Sequence, residues 1–204
     1  SVRIFDAHRT PLQAVALSAD GQYAASSSAA SDNGQESAQI LIWNVATGRV
    51  QQTWPNSATV LTFSPSGDAL LAVTDGPTLL REIATGNPLQ SWSETVIGAA
   101  VFSPYNGDLA YGGSDNALAF WQASAAEHIS FRETHRYYGN NDHLTAMAFS
   151  SDGEYVVSGA FNGDVILWDI LTPNDELLAP LSLLPNQYVA LSPDRQALVF
   201  TADN

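Results

Sequence analysis

The residues best equipped for chemistry are four histidines, His8, His128, His135 and His143. Two of them sit in a polar stretch at 132–143 with Arg132, Arg136, Tyr137, Tyr138, Asn140 and Asn141. His135 and His143 are eight residues apart, with Glu133 and Asp142 nearby. Zinc sites show tighter spacing and further ligands, so no metal is assigned. The segment Ser31–Glu36 (SDNGQE) resembles a calcium loop only superficially, since its oxygen ligands do not follow the twelve-residue pattern. The chain has no cysteine, which removes thiol nucleophiles and disulfides together. It has neither a glycine-rich phosphate loop nor a G-x-S-x-G elbow. No catalytic residue and no cofactor is therefore assigned, and the chain reads as a binding protein rather than an enzyme. Tyrosine and arginine are typical interface anchors, which makes the 132–143 stretch a candidate contact for a protein or peptide partner.

The charge balance narrows the partners. The net charge is −14, there is no lysine, and all seven basic residues are arginine. Such a surface repels nucleic acid and anionic membranes at long range. No apolar run approaches the roughly 18 residues of a membrane span, so membrane insertion is not expected. The opening SVRIFDAHRT has no signal-peptide pattern. The compartment stays open, with the cytoplasm favoured.

The elements that position these residues repeat. An apolar run ends before a Ser-x-x-Gly type turn at ALSADG, TFSPSG, VFSPYNG, AFSSDG and ALSPDR. Its anchoring apolar residues are Leu17, Phe63, Phe102, Phe149 and Leu191, at intervals of 46, 39, 47 and 42 residues. Between them lie ILIWNVATG, TLLREIATG, ALAFWQASA and VILWDILTP. Trp43, Trp121 and Trp168 hold one position there, and Arg81 takes it in the second copy. Trp54 and Trp92 fall at the ends of fourth strands and are expected in the core. The short alternating runs and turn residues predict antiparallel strands, and no stretch sustains a helical period. Four short strands per roughly 42 residues is the unit of a propeller blade.

This pattern resembles the WD40 repeat family, over essentially the whole chain. The fullest copy is FSSDGEYVVSGAFNGDVILWD, with Trp168-Asp169 as the namesake dipeptide. His8 lies nine residues before Leu17, at the family's histidine position. In that family a buried network joins the histidine, a Ser or Thr, a turn Asp and the Trp. The resemblance places Ser158, Asn162 and Trp168 in it for the fourth copy, with Asn140 in the histidine slot. In the third copy Asp115 and Trp121 match, and Tyr111 replaces the hydroxyl residue. A buried Trp N–H needs an acceptor, which Asp115 and Asn162 are expected to supply from the turn. The fold class implied is all-β: a propeller of four-stranded antiparallel blades with about 4.5 repeats present.

The domain expectation is a single propeller, or part of one, over 1–204. Its repeats run approximately 7–54, 55–92, 93–134, 135–180 and 181–204 plus 1–6. Propellers have about four to eight blades, so the favoured expectation is an arc of a larger ring. The remaining blades of the same chain, or a homo-oligomer, would complete it; a closed five-blade ring is the alternative. SVRIFD is expected to be a strand like VILWD.

Two copies carry extra residues, around 27–39 and in 132–143. In propeller topology both insertions project from one face. That face is the expected partner site, with Arg136, Tyr137, Tyr138, His135, Asn141 and Phe161 as contacts. The first strands of the blades (LQAVAL, ATVLTF, IGAAVF, LTAMAF, YVALS) are apolar and small, which speaks against a catalytic channel. The alternative function is a ligand-sensing or catalytic propeller domain of a larger multidomain protein.

Overall fold

A computed structural model of the chain describes residues 4–92, 97–123, 131–171, 178–182, 189–192 and 197–200. Residues 1–3, within the expected opening strand, lie outside that description, and Ile4–Arg9 is not a strand. The described residues are all-β, without helix.

Two compact units divide the chain, Ser1–Glu94 and Thr95–Asn204. The first holds two four-stranded antiparallel sheets. One is built from β1 (Leu12–Leu17), β2 (Tyr23–Ser28), β3 (Gln39–Asn44) and β4 (Arg49–Pro55). The other comprises β5 (Ala58–Phe63), β6 (Ala69–Thr74), β7 (Thr78–Glu82) and β8 (Pro88–Trp92). The second unit holds two more sheets and a short pair. Its third sheet has β9 (Ile97–Phe102), β10 (Leu109–Gly113), β11 (Ala117–Ala123) and β12 (Phe131–Tyr138). The fourth has β13 (Leu144–Phe149), β14 (Tyr155–Ala160), β15 (Asp164–Asp169) and β16 (Leu178–Ser182). The pair is β17 (Val189–Leu191) with β18 (Leu198–Phe200). In every sheet the strands lie side by side in chain order, as short hairpin links demand.

The serine turns explain why the sheets form locally. Ser18, Ser64 and Ser150 each accept a backbone N–H from five residues on through Oγ, at 2.9, 3.0 and 2.9 Å. The same hydroxyls donate to Asp20, Asp68 and Asp152 at 2.6, 2.7 and 2.5 Å. Gly21, Gly67 and Gly153 close these turns at φ of 68°, 74° and 74°, a left-handed conformation that glycine adopts without strain. Each turn thus sets the register of the first two strands through contacts local in sequence. Each first strand also carries one extra residue near its start, marked by register shifts at Leu12/Ala14, Ala58/Val60, Leu144/Ala146 and on the partner side at Gly112/Gly113. A bulge there raises the local twist.

Packing is face to face within each unit. In the first, Ala25, Ile40, Ile42 and Trp54 meet Ala58, Leu61, Phe63, Leu70 and Ala72. In the second, Ala110, Leu118 and Phe120 meet Leu144, Val156, Ile166 and Trp168. Trp54 is buried and Trp92 only partly so. β1 lies beside β5, and β9 beside β13. The second approach is tight: a Cβ at Gly98 would overlap the Leu144 carbonyl oxygen, and one at Gly112 would overlap Leu144 Cδ1.

The expected boundary at 134/135 falls inside β12, and 132–138 is strand rather than loop. β12 pairs with β11 from Ala123↔Phe131 to Ala117↔Tyr138. The extra residues of the third copy therefore lie before β12. They are 124–130, between β11 and β12, outside the described residues. Thr134, Tyr137 and Tyr138 favour an extended backbone, and the segment pairs with β11 as the outer strand of the sheet. The other insertion is a true loop at 29–38, closed by Ser31 and Glu36.

Leu144→Ala is expected to lower unfolding stability by about 2–5 kcal/mol. Gly98→Ala should cost at least as much, because the obstacle is backbone. Gly107→Ala, with open space around it and φ of 76°, should cost only about 1–2 kcal/mol. Urea titration of the three variants checks the order.

Candidate partner-binding site

Four positions decide what each sheet does with its buried polar atoms. In the first sheet the Trp43 indole N–H donates to Ser26 Oγ at 2.8 Å. His8 lies with Nε2 2.7 Å from Ser26 Oγ and Nδ1 2.8 Å from Ser28 Oγ. Burial lowers the His8 pKa, favouring the neutral ring. Phe5 packs on Trp43 with ring centroids 5.2 Å apart. Between the two serines, Ser27 Oγ accepts the Ala58 backbone N–H at 2.7 Å, which ties the first sheet to the second.

The fourth sheet repeats the scheme with an amide. Trp168 donates to Ser158 Oγ at 2.8 Å, and Ser158 donates to Asn140 Oδ1 at 3.3 Å. The Asn140 amide nitrogen is buried with no hydrogen-bond partner. The expected acceptor at Asn162 is instead a support: Asn162 and Asn141 both donate to buried Asp164, each at 2.8 Å. Asp169 caps the following turn by accepting the Leu171 N–H at 3.0 Å.

The third sheet substitutes a charged cluster. The Tyr111 hydroxyl donates to Glu133 Oε2 at 2.7 Å, and the Trp121 indole N–H reaches the same oxygen at 3.4 Å. The Arg136 guanidinium grips Glu133 from Nε and Nη2, at 2.9 and 2.7 Å. It also donates to Tyr111 at 3.0 Å and pairs with Asp115. Asp115 therefore holds Arg136 rather than accepting from Trp121 directly. The Arg136 hydrogen bonds bring the Glu133 pKa down to about 2. Burial, reinforced by Glu133, pushes the Tyr111 phenol well above its ordinary range. In the second sheet Arg81 occupies the tryptophan position. Its guanidinium lies 5.5 Å from the Trp54 ring centre, a cation–π contact, and donates to the Gly86 carbonyl at 3.2 Å.

These bonds sort the expected contacts. Arg136 is spent on Glu133, Asp115 and Tyr111. Tyr137 packs edge-on to Phe120 at 5.7 Å and near Trp168 at 5.9 Å. Asn141 is turned to Asp164. His135 is exposed and stacks on Tyr137 at 6.2 Å. Two aromatics remain open: Tyr138, 70% exposed, and Phe161, 55% exposed. His143 stacks on Phe161 at 4.8 Å and 21°, and its Nδ1 lies 2.9 Å from Asp142 Oδ1. Among the described residues no group of three His, Cys, Asp or Glu is placed to hold a metal ion.

A family model for the WD domain, G-beta repeat, matches residues 1–44 and 131–169. These two segments carry WD40 repeats. The two matched segments hold the sheets in which tryptophan donates to a serine, Trp43–Ser26 and Trp168–Ser158. The WD40 residues are replaced at Arg81 and Tyr111, both in the unmatched part. The second match starts in β12 and ends in β15, so the WD40 repeat runs one strand out of phase with the sheet. No curated protein matches the chain.

Sequence reading missed Ser26, Ser28 and Asp164, and it named Glu133 and His143 without giving them these roles. Ser26 and Ser28 were legible as alternate residues of one strand facing His8. Glu133 carried no signal, because its role depends on β12 being a strand.

Glu133 sets a pH prediction. A carboxyl whose folded pKa is depressed contributes stability above its ordinary value near 4.5 and loses it as pH falls to about 2. Glu133→Gln should therefore melt below the wild type at neutral pH, with the two melting curves converging near pH 2. Melting temperatures measured from pH 7 downward check this.

Proposed function

We propose that this WD40 chain is a non-catalytic scaffold that binds a protein or peptide partner. The contact is the end of the third and fourth sheets where β12 stops and β13 begins. The observation that carries the reading is the exposed Phe161–His143 stack with Tyr138 five residues before His143. Both aromatics stand on rigid strands or their turns, so little conformational freedom is lost on binding. Phe161 is anchored by its backbone N–H to the His143 carbonyl at 3.0 Å. Arg136 and Tyr137, expected at the contact, are engaged within the two sheets: Arg136 in a part-exposed ion cluster with Glu133 and Asp115, Tyr137 against Phe120 and Trp168. The small apolar side chains of the first strands, such as Ala58, Leu61 and Ala99, supply no acid, base or nucleophile.

The double substitution Tyr138→Ala and Phe161→Ala should weaken partner binding about tenfold or more while shifting the melting temperature by less than about 2 °C. Arg136→Ala should do the reverse, lowering the melting temperature through the lost ion cluster. Affinity capture from source cells with each variant, followed by titration of the captured partner, measures both effects. Capture that survives the double substitution would move the contact elsewhere. Heat stabilisation by a small molecule or metal, with no protein captured, would make the chain a ligand sensor.

A further inference from the structure

At the opposite ends of the same two sheets a groove of about 660 Å³ opens between the third sheet and the fourth. Its aromatic walls are Tyr105, from the turn after β9, with Phe120 and Tyr137. Its carboxylates are Asp108, Asp152 and Glu154, from the turns after the first strands of the two sheets. His135 is the only side chain among its lining residues able to carry a positive charge. The fold makes this arrangement. Both serine turns place an acidic residue where it completes the turn, and packing one sheet on the next brings the two turns together. Gly153 permits the approach, since a Cβ there would come within 2.9 Å of Tyr105 Cβ.

We infer that this groove is a second docking surface, for an extended polypeptide segment bearing arginine or lysine. Charge sets the sign: three carboxylates converge, and no arginine is among the lining residues. The aromatic walls set the residue type. Tyr105 is 82% exposed, so its ring face is open to a guanidinium or ammonium group within reach of the acids. The strand order sets the class of partner. β12, which supplies Thr134, His135 and Tyr137 to the groove, is the edge of its sheet, and among the described strands it pairs with β11 alone. An edge strand offers backbone N–H and C=O groups to an extended chain, which a small cation could not use. This surface is distinct from the Tyr138–Phe161 contact and stands independently of it.

The probe is a fluorescein-labelled octapeptide alternating arginine with leucine, with its glutamate-for-arginine counterpart as control. Fluorescence anisotropy on the full chain should show saturable binding of the first and none of the second. Glu154→Arg and, separately, Gln122→Arg place a cation in the groove, and each should weaken binding about tenfold or more. Gln122 is exposed, so its substitution leaves the packing intact. Asp32→Arg makes the same charge change as Glu154→Arg on an exposed loop of the first unit and should leave affinity unchanged. Tyr138→Ala with Phe161→Ala should also leave it unchanged. Equal weakening by Asp32→Arg would reduce the effect to net charge and overturn the proposal. So would the absence of saturable binding, or loss of binding with the Tyr138 and Phe161 pair.

Discussion

A buried indole N–H left without an acceptor is costly, and three of the four four-stranded sheets are arranged around how they supply one. An unpaired polar atom inside a protein costs as much as a hydrogen bond contributes, or more. The tryptophan stands on the third strand, and its acceptor must come from the second strand or from the outer one. A serine on the second strand does this with one hydroxyl, Ser26 for Trp43 and Ser158 for Trp168. That serine is then held by a residue just ahead of the first strand, His8 or Asn140. Two strands and the lead-in to the first are thereby fixed around one donor.

Where the serine is absent the constraint persists and is met at greater expense in residues. Tyr111 is too large to sit beneath Trp121 as serine does, and the rings lie 4.2 Å apart. The acceptor then comes from the outer strand as Glu133, whose charge calls for Arg136, whose remaining donors call for Asp115. One substitution thus draws three further residues into the network. In the second sheet Arg81 removes the indole altogether. Two N–H groups, of Arg81 and Trp54, remain buried without a partner.

The distinction between local and non-local information explains what could be read in advance. The serine turns, their glycines and the strand count are written in contiguous residues, and the all-β blade pattern follows from them. His8 and Asn140 were legible because each lies nine residues before the apolar residue that precedes its turn, and the tryptophans because each stands near the end of an apolar run. The edge-strand character of 132–138 was not. RETHRYYGNNDH reads as a polar loop until the partner strand ALAFWQA is laid beside it. The roles of Arg136, Tyr137 and Asn141 changed with it, because each depends on which residue faces it across a sheet. Phe161 and Tyr138 are exposed, and both stand at strand ends.

The offset between repeat and sheet has a consequence for inheritance. The match at 131–169 takes its outer strand from one sheet and its other three strands from the next. A DNA segment copied at those limits would carry the seam between sheets intact inside it, and its ends would fall in the middle of sheets. Every duplication would then arrive already stitched to its neighbour. Arrays could lengthen or shorten by whole copies while contacts across the seam inside that segment, such as Tyr137 on Trp168, pass down as one linked block.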